Sequence, residues 1–186
     1  GKKLAREGEF CADCQRREHL FTRGRALYAY ESAAVSIYRF KYGGRREYAE
    51  FFGEQIAEYL GNFIRSVQPD ALVPIPLHKK RLAARGYNQA GLLAQAVGRR
   101  MGMPVCTDFL VRVKNTVPLK YENPKERQNN LKKAFNIARN DVKLKRVILI
   151  DDIYTTGSTM DEAAVTLREA GVEEICFIAL ACGAGL

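Results

Sequence analysis

Two adjacent carboxylates, Asp151 and Asp152, precede a short run of hydroxyl side chains around one glycine, and together these residues could bind a phosphorylated sugar. The run consists of Thr155, Thr156, Gly157, Ser158 and Thr159. Carboxylates accept hydrogen bonds from sugar hydroxyls and suit the water shell of Mg²⁺. Hydroxyl groups donate hydrogen bonds to phosphate oxygens, and a glycine lets the backbone approach a phosphate without a Cβ in the way.

The elements around this run are predicted to hold it at one edge of a sheet. Residues 147–150 are purely apolar, as is typical of a strand buried on both faces of a parallel sheet. A helix is predicted over residues 158–170, and a helix N-terminus offers free N–H groups to a phosphate. Ligands of open α/β sheets bind at the carboxyl ends of strands. A capped helix with Ser158 at the N-cap would explain residues 158–162 but not two adjacent carboxylates followed by Thr-Thr-Gly. The Gly-Lys-Ser/Thr of a Walker loop does not occur.

The rest of the chain alternates between strand and helix patterns. One-sided apolar spacing predicts helices over residues 47–67 and from Asn88, as a cap, to about Met101. Short apolar runs predict strands at residues 71–75 and 175–180, with two further short strands between residues 103 and 113. Residues 114–131 are polar and predict a long loop. The alternation predicts an α/β domain with a parallel sheet.

The thirteen residues 147–159 resemble the signature with which type I phosphoribosyltransferases bind 5-phosphoribosyl-1-pyrophosphate (PRPP). The resemblance implies the type I phosphoribosyltransferase fold, a parallel-sheet core flanked by helices. It implies that Asp151 and Asp152 hold the ribose hydroxyls and stabilise the charge that develops during transfer, and that the hydroxyl run wraps the 5′-phosphate. It also implies a Mg²⁺-pyrophosphate site after the strand at residues 71–75. The residues expected there are Pro76, Leu77 and Arg85.

Three further segments resemble the ComF family of bacterial competence proteins. They are Lys41-Tyr42-Gly43-Gly44, residues 73–78 with 85–89, and Arg127, Asn130, Ala134 and Phe135. This resemblance extends over nearly the whole chain from about Cys11. Family members commonly carry Thr-x-x-Gln in a mobile loop, whereas here Thr116-Val117-Pro118 is followed by Leu119 and Lys120.

The net charge of +9 is concentrated in the middle of the chain, where residues 70–135 hold 13 basic and 4 acidic side chains. Such a surface favours an anionic partner, although a solvated basic face would have the same composition. The residues expected to contact single-stranded DNA are Lys79, Lys80, Arg81, Arg85, Lys120 and Arg127, with Tyr87, Tyr121 and Phe135 as stacking rings. Core packing is the alternative for these rings, and it is favoured for Phe135 more than for Tyr121. A charged loop that closes over PRPP would explain the same charges.

The cysteines favour a metal site over disulfide bonds. Five scattered cysteines argue against a disulfide framework and favour a reducing cytoplasm. Cys11 and Cys14 form half of a zinc ribbon, with His19 as a candidate third ligand. ComF proteins typically carry two such pairs, and Gly1 in place of Met predicts that the chain is a fragment or carries a tag. We therefore expect a partial zinc ribbon as an appendage at residues 1–26 and a phosphoribosyltransferase-like domain at residues 27–186.

Three functions follow from these patterns. The first is a competence-associated protein of DNA uptake that binds PRPP and acts on or binds single-stranded DNA, with other competence proteins as candidate partners. The second is a small-molecule phosphoribosyltransferase that makes a nucleotide from a free base, with residues 28–46 as the hood over the base. The third is a PRPP-binding regulator without catalysis. No run of about 18 apolar residues occurs, so we expect no membrane span.

Overall fold

The computed structural model describes residues 18–114, 133–139 and 143–183. Its helices are α1 (Tyr30–Tyr42), α2 (Tyr48–Val67), α3 (Lys79–Arg85), α4 (Gln89–Met101) and α5 (Ser158–Glu169). Its strands are β1 (Arg23–Ala29), β2 (Ala71–Pro74), β3 (Leu110–Arg112), β4 (Phe135–Ile137), β5 (Arg146–Tyr154) and β6 (Glu174–Cys182).

The main sheet has the strand order β1-β6-β5-β2, and every pair of neighbours in it is parallel. Strands β3 and β4 form a separate antiparallel ribbon. Pro74 at the end of β2 pairs with Ile150 in β5, so the loop after β2 begins beside the carboxyl half of β5. The predicted α/β architecture, with a parallel sheet flanked by helices, is confirmed.

The apolar residues of β5 supply both halves of the core because side chains alternate between the faces of a strand. Val147 and Leu149 pack on one face with α5 and the β3–β4 ribbon. Ile148 and Ile150 pack on the other face with α1, α2 and α4. Full burial of such a side chain stabilises the fold by roughly 1.5–3 kcal/mol. Helices on both faces therefore hold β5 rigidly and fix the direction of the side chains that follow.

The structure corrects two details of the predicted elements. The Asn88 side chain does not cap α4; its Nδ2 donates to the carbonyl oxygen of Ile75, 3.0 Å away. Only one strand, β3, forms between residues 103 and 113, because Val105 makes an isolated bridge to Leu72.

Strand β5 is longer than the predicted strand and contains both carboxylates. It continues to Tyr154 because β6 continues alongside it, pairing Asp151 with Ala179 and Tyr154 with Cys182. The helix that follows begins at Ser158, but its N-cap is Gly157, whose backbone is left-handed with φ of 79°. The predicted start of this helix at Ser158 is confirmed, and Ser158 is not the N-cap that the capped-helix alternative would require.

Strand β1 spans the boundary expected between residues 26 and 27 and pairs with β6, so residues from Arg23 onward belong to the main sheet. The cysteine pair at Cys11 and Cys14 lies outside the described residues, as does almost all of the predicted loop at residues 114–131. Within the described ranges, no helix has the length and apolar character needed to cross a membrane.

Candidate functional site

The two carboxylates of β5 point to opposite faces of the sheet, as consecutive residues of a strand must. On one side, the Nζ of Lys41, in the last turn of α1, lies 2.8 Å from Oδ1 of Asp152. On the other side, the charge of Arg112 in β3 acts on Asp151. The backbone N–H of Asp152 donates to Oδ1 of Asp151 over 2.8 Å. The pair is thus held between two cations that come from different layers of the fold.

Asp151 carries an unusual charge state for an aspartate. Burial, and next the negative charge of Asp152, raise its pKa to about 7, against the opposing charges of Lys41 and Arg112. Near neutral pH the Asp151 carboxyl is therefore about half protonated. Ligands that offer positive charge or hydroxyl donors at this place favour release of that proton, since they stabilise the ionised form.

The loop between β5 and α5 accepts only glycine at position 157. A Cβ at Gly157 would lie 2.8 Å from the Tyr154 hydroxyl and 2.9 Å from Cε1 of His19, and its φ of +79° also disfavours a side chain. Tyr154 cannot move away easily, because its ring stacks on Phe177 with centroids 4.6 Å apart. Glycine at this position is therefore required for the close packing of the loop against Tyr154 and His19.

The hydroxyls of this loop gather at the start of α5. Thr156 Oγ1 and Ser158 Oγ lie 2.9 Å apart and share a hydrogen bond, while Thr155 is exposed and Thr159 is half-buried in the first turn. Together with the N-terminal N–H groups of α5, they form a set of donors suited to a phosphate.

His19 lies against this loop. Its Nδ1 is 2.9 Å from Oδ2 of Asp161, and the backbone N–H of Leu20 donates to Oδ1 of the same carboxylate over 3.0 Å. The ring also stacks on Phe21, with centroids 4.6 Å apart. Among the residues that the structure describes, no group of three or more His, Cys, Asp or Glu side chains could hold a metal ion. The role of Cys11 and Cys14 stays a prediction.

The loop after β2 forms the second side of the site. Pro76 and Leu77 are half-buried and follow directly from the strand that neighbours β5. His78 could be taken from the sequence for a surface side chain beside the lysines that follow it, but it is only 7% exposed and therefore buried. Its Nδ1 accepts the N–H of Lys80 at the start of α3 over 3.3 Å. Burial, and then the nearby cations, lower its pKa, so the ring is neutral near pH 7.

The basic residues of α3 surround the end of this loop. Lys79 and Lys80 are exposed, and Arg81 is half-buried. Arg85 Nη1 donates to Oε1 of Gln89 over 2.6 Å, and its guanidinium lies 4.9 Å from the centroid of the Tyr42 ring. Lys120 and Arg127 lie outside the described residues.

Two of the three rings expected to stack on bases are buried and do not serve that purpose. Tyr87 is 7% exposed and its hydroxyl donates to the carbonyl oxygen of Phe40, while Phe135 is 2% exposed in the core. Tyr121 lies outside the described residues. Core packing is therefore the correct interpretation of both described rings, whose burial depends on packing between distant elements.

Sequence patterns did not assign a role in the site to Lys41, Arg112 or Tyr154. Lys41 follows a helical apolar stretch, and its spacing gives no indication that it reaches Asp152. The strand order would have predicted that Lys41 lies near Asp152, because α1 follows the edge strand β1 and must pack over the sheet.

Comparisons with known proteins agree with this architecture. The phosphoribosyl transferase domain family matches residues 52–184. Competence protein F of Haemophilus influenzae is 34% identical over 94% of this chain and 79% of its own length. Competence protein ComFC of Bacillus subtilis is also 34% identical, over 87% of this chain and 67% of its own. The DNA utilization protein YhgH of Escherichia coli K12 is 32% identical over 58% of this chain and 47% of its own.

Proposed function

The chain belongs to the ComF family of phosphoribosyltransferase-domain proteins and has a competence-associated role, and we propose that it binds PRPP at the end of β5 and holds single-stranded DNA in the cytoplasm. Other competence proteins are its candidate partners. The observation that carries the PRPP part is a half-buried carboxylate pair followed by a loop that requires glycine at position 157.

The proposed orientation of PRPP follows from the donors and acceptors at each end of the site. The hydroxyls and N–H groups of residues 155–159 take the 5′-phosphate, and Asp151 and Asp152 accept the ribose hydroxyls. The pyrophosphate lies towards Pro76 and Leu77, where Arg85 offers a guanidinium. Parallel pairing of β2 with β5 supports this orientation, because it brings both loops to the same edge of the sheet.

Mg²⁺ fits the same carboxylates, because hard oxygen ligands suit this ion and a proton can leave Asp151 near neutral pH. When bound, Mg²⁺ supplies positive charge that offsets the charge of the pyrophosphate leaving group. Asp151 and Asp152 stabilise the positive charge that develops on the ribose. Zinc is proposed for the separate pair Cys11 and Cys14, whose chemistry suits a structural site completed by further ligands.

The PRPP part is tested by calorimetric titration of PRPP with Mg²⁺ into the wild type and into the double variant Asp151→Ala/Asp152→Ala. We expect the double variant to lose binding. Asp108→Ala is the matched control, because Asp108 is exposed and pairs with Arg139 away from β5. Affinity retained by the double variant would disprove the assignment.

The DNA part is tested by binding of a labelled single-stranded oligonucleotide over a salt series. Several phosphate contacts predict a linear fall of log affinity with log salt concentration. The double variant Arg85→Ala/Arg127→Ala is expected to weaken binding and reduce the salt slope. Arg65→Ala is the control, since Arg65 is exposed on α2 and donates to Asn62. If the oligonucleotide does not bind even at low salt, the proposed DNA binding is wrong, and the basic residues serve the binding of PRPP alone.

A small-molecule phosphoribosyltransferase is the second candidate, and the position of α1 favours it. This helix lies in the segment expected to form a hood, and its Lys41 reaches Asp152. A screen of free bases for pyrophosphate release tests it. Release with a base supports the enzyme, whereas PRPP binding without release, with or without DNA, favours a regulator that does not catalyse transfer.

A further inference from the structure

We propose that Tyr38 and Tyr42 of α1 form a stacking platform for the bases of single-stranded DNA, beside the PRPP site. The inference rests on the proposed function, because it takes the DNA strand as the ligand and assigns the side chains that hold its bases. Tyr38 and Tyr42 would take the stacking role expected of Tyr87 and Phe135, which are buried.

The two rings are exposed on one face of α1. Tyr38 is 64% exposed and Tyr42 is 65% exposed, although both are large aromatic side chains. Their spacing of four residues places them on the same helix face, and their ring centroids are 5.1 Å apart. The core is filled from the opposite face of α1 by Ala33, Ile37 and Phe40, so the tyrosine rings are not needed for packing.

The charge around these rings favours a nucleic acid. The guanidinium of Arg85 lies over the Tyr42 ring, 4.9 Å from its centroid, and so adds a cation to the stacking surface. Residues 32–46 and 75–93, which include the second half of α1 and all of α3, contain no Asp or Glu. Their cations are Arg39, Lys41, Arg45, Arg46, Lys79, Lys80, Arg81 and Arg85. Bases stack on aromatic rings while phosphates follow such cations, which is how proteins hold single strands without reading sequence.

The platform is connected to the carboxylate pair through the end of α1. Lys41, the residue before Tyr42, pairs with Asp152 over 2.8 Å. The Gln89 side chain, which accepts from Arg85, also donates to the Lys41 carbonyl oxygen over 3.4 Å. A base stacked on Tyr42 therefore lies beside the ribose site and not on a remote surface.

The same features argue against a second copy of this chain as the occupant. Two copies that met through this surface would bring together two sets of cations, of which Lys41 and Arg45 already pair with Asp152 and Glu47 of their own copy. A polyanion with planar bases satisfies both the charge and the exposed rings.

The test compares a dT oligonucleotide with an abasic oligonucleotide of the same length and charge, using fluorescence anisotropy at two salt concentrations. Because stacking contributes about 1–3 kcal/mol per base, each of Tyr38→Ala and Tyr42→Ala is expected to weaken dT binding about fivefold or more. The salt slope stays unchanged, since no charge is removed. Tyr59→Ala is the control, because Tyr59 is equally exposed at 64% but lies on α2.

A reporter variant keeps the aromatic ring and the fold. The chain has no tryptophan, so Tyr42→Trp introduces a single indole whose fluorescence reports stacking directly. We expect dT to quench this fluorescence and abasic DNA to leave it nearly unchanged. Equal affinity for dT and abasic DNA, or unchanged binding by the double Tyr38→Ala/Tyr42→Ala variant, would overturn the platform while DNA binding stands. Absence of wild-type binding to either oligonucleotide would overturn DNA binding and the platform together.

Discussion

Replacing Asp151 by Asn is expected to stabilise the ligand-free protein at alkaline pH while it abolishes PRPP binding. Burial and the charge of Asp152 raise the pKa of Asp151 from 3.8 to about 7. The folded state therefore keeps a proton that the unfolded chain has lost between these pH values. Since the folded state binds more protons, stability falls as pH rises through this window and levels off above about pH 7.

The size of the loss in stability follows from the difference between the pKa of Asp151 in the unfolded chain, 3.8, and its pKa in the folded protein, about 7. Each pH unit between the two pKa values is worth about 1.4 kcal/mol, so complete ionisation of Asp151 costs at most about 4 kcal/mol. Between pH 5 and pH 8 only the upper part of the window is crossed, which corresponds to about 2–3 kcal/mol. An asparagine stays neutral, and its Oδ1 still accepts the Asp152 N–H that the aspartate accepts over 2.8 Å. The advantage of the variant therefore grows by this amount from pH 5 to pH 8.

Urea unfolding of both proteins at pH 5, 6, 7 and 8 measures this difference. Asp70→Asn is the matched control. Hydrogen bonds from the backbone N–H groups of Arg146 and Lys145 lower the pKa of Asp70, so its contribution is complete throughout this pH range and is lost only in acid. The control is expected to lose the same stability at each pH. A difference between wild type and Asp151→Asn that does not change with pH would refute the reasoning.

Three further changes test single contacts of the site. Gly157→Ala is expected to lower the affinity for PRPP at least tenfold, because its Cβ would meet the Tyr154 hydroxyl, and to lower stability by about 1–2 kcal/mol; calorimetry and thermal unfolding measure the two effects. Lys41→Met removes a cation that lowers the pKa of Asp151, so the pH at which PRPP binding is half-maximal should rise, as titrations between pH 6 and 9 would show. His78→Ala removes the acceptor at the start of α3 and is expected to cost about 1 kcal/mol in urea unfolding, with no effect if the cap contributes nothing.

The buried strands and long helices could be predicted from the sequence because their signals are local. Apolar runs and one-sided spacing lie within each element, which is why α2 and α4 agree with prediction to within a residue or two at their ends. The continuation of β5 through two carboxylates could not be predicted in this way. Asp is rare in strands, and the partner residues that extend the ladder are in β6.

The charged contacts of the candidate site could not be predicted from local sequence patterns either. Lys41 and Asp152 are 111 positions apart, and His19 and Asp161 are 142 positions apart. Each of these contacts could be predicted only if the strand order of the sheet were known. For the same reason, the sequence indicated a basic surface with aromatic rings but not which rings are exposed. Tyr87 and Phe135 are buried, whereas Tyr38 and Tyr42 of α1 are exposed.

The placement of Asp151 and Asp152 within a strand, and not in a loop, has a consequence for how this family can vary. A loop tolerates the gain or loss of a residue, but a strand with period two does not. One residue inserted into β5 ahead of the pair would turn Asp151 towards α1 and Asp152 towards β3, exchanging their cationic neighbours. Two inserted residues would return each carboxylate to its original side of the sheet. Homologues are therefore expected to keep a fixed number of residues in this strand while the connections around it change in length.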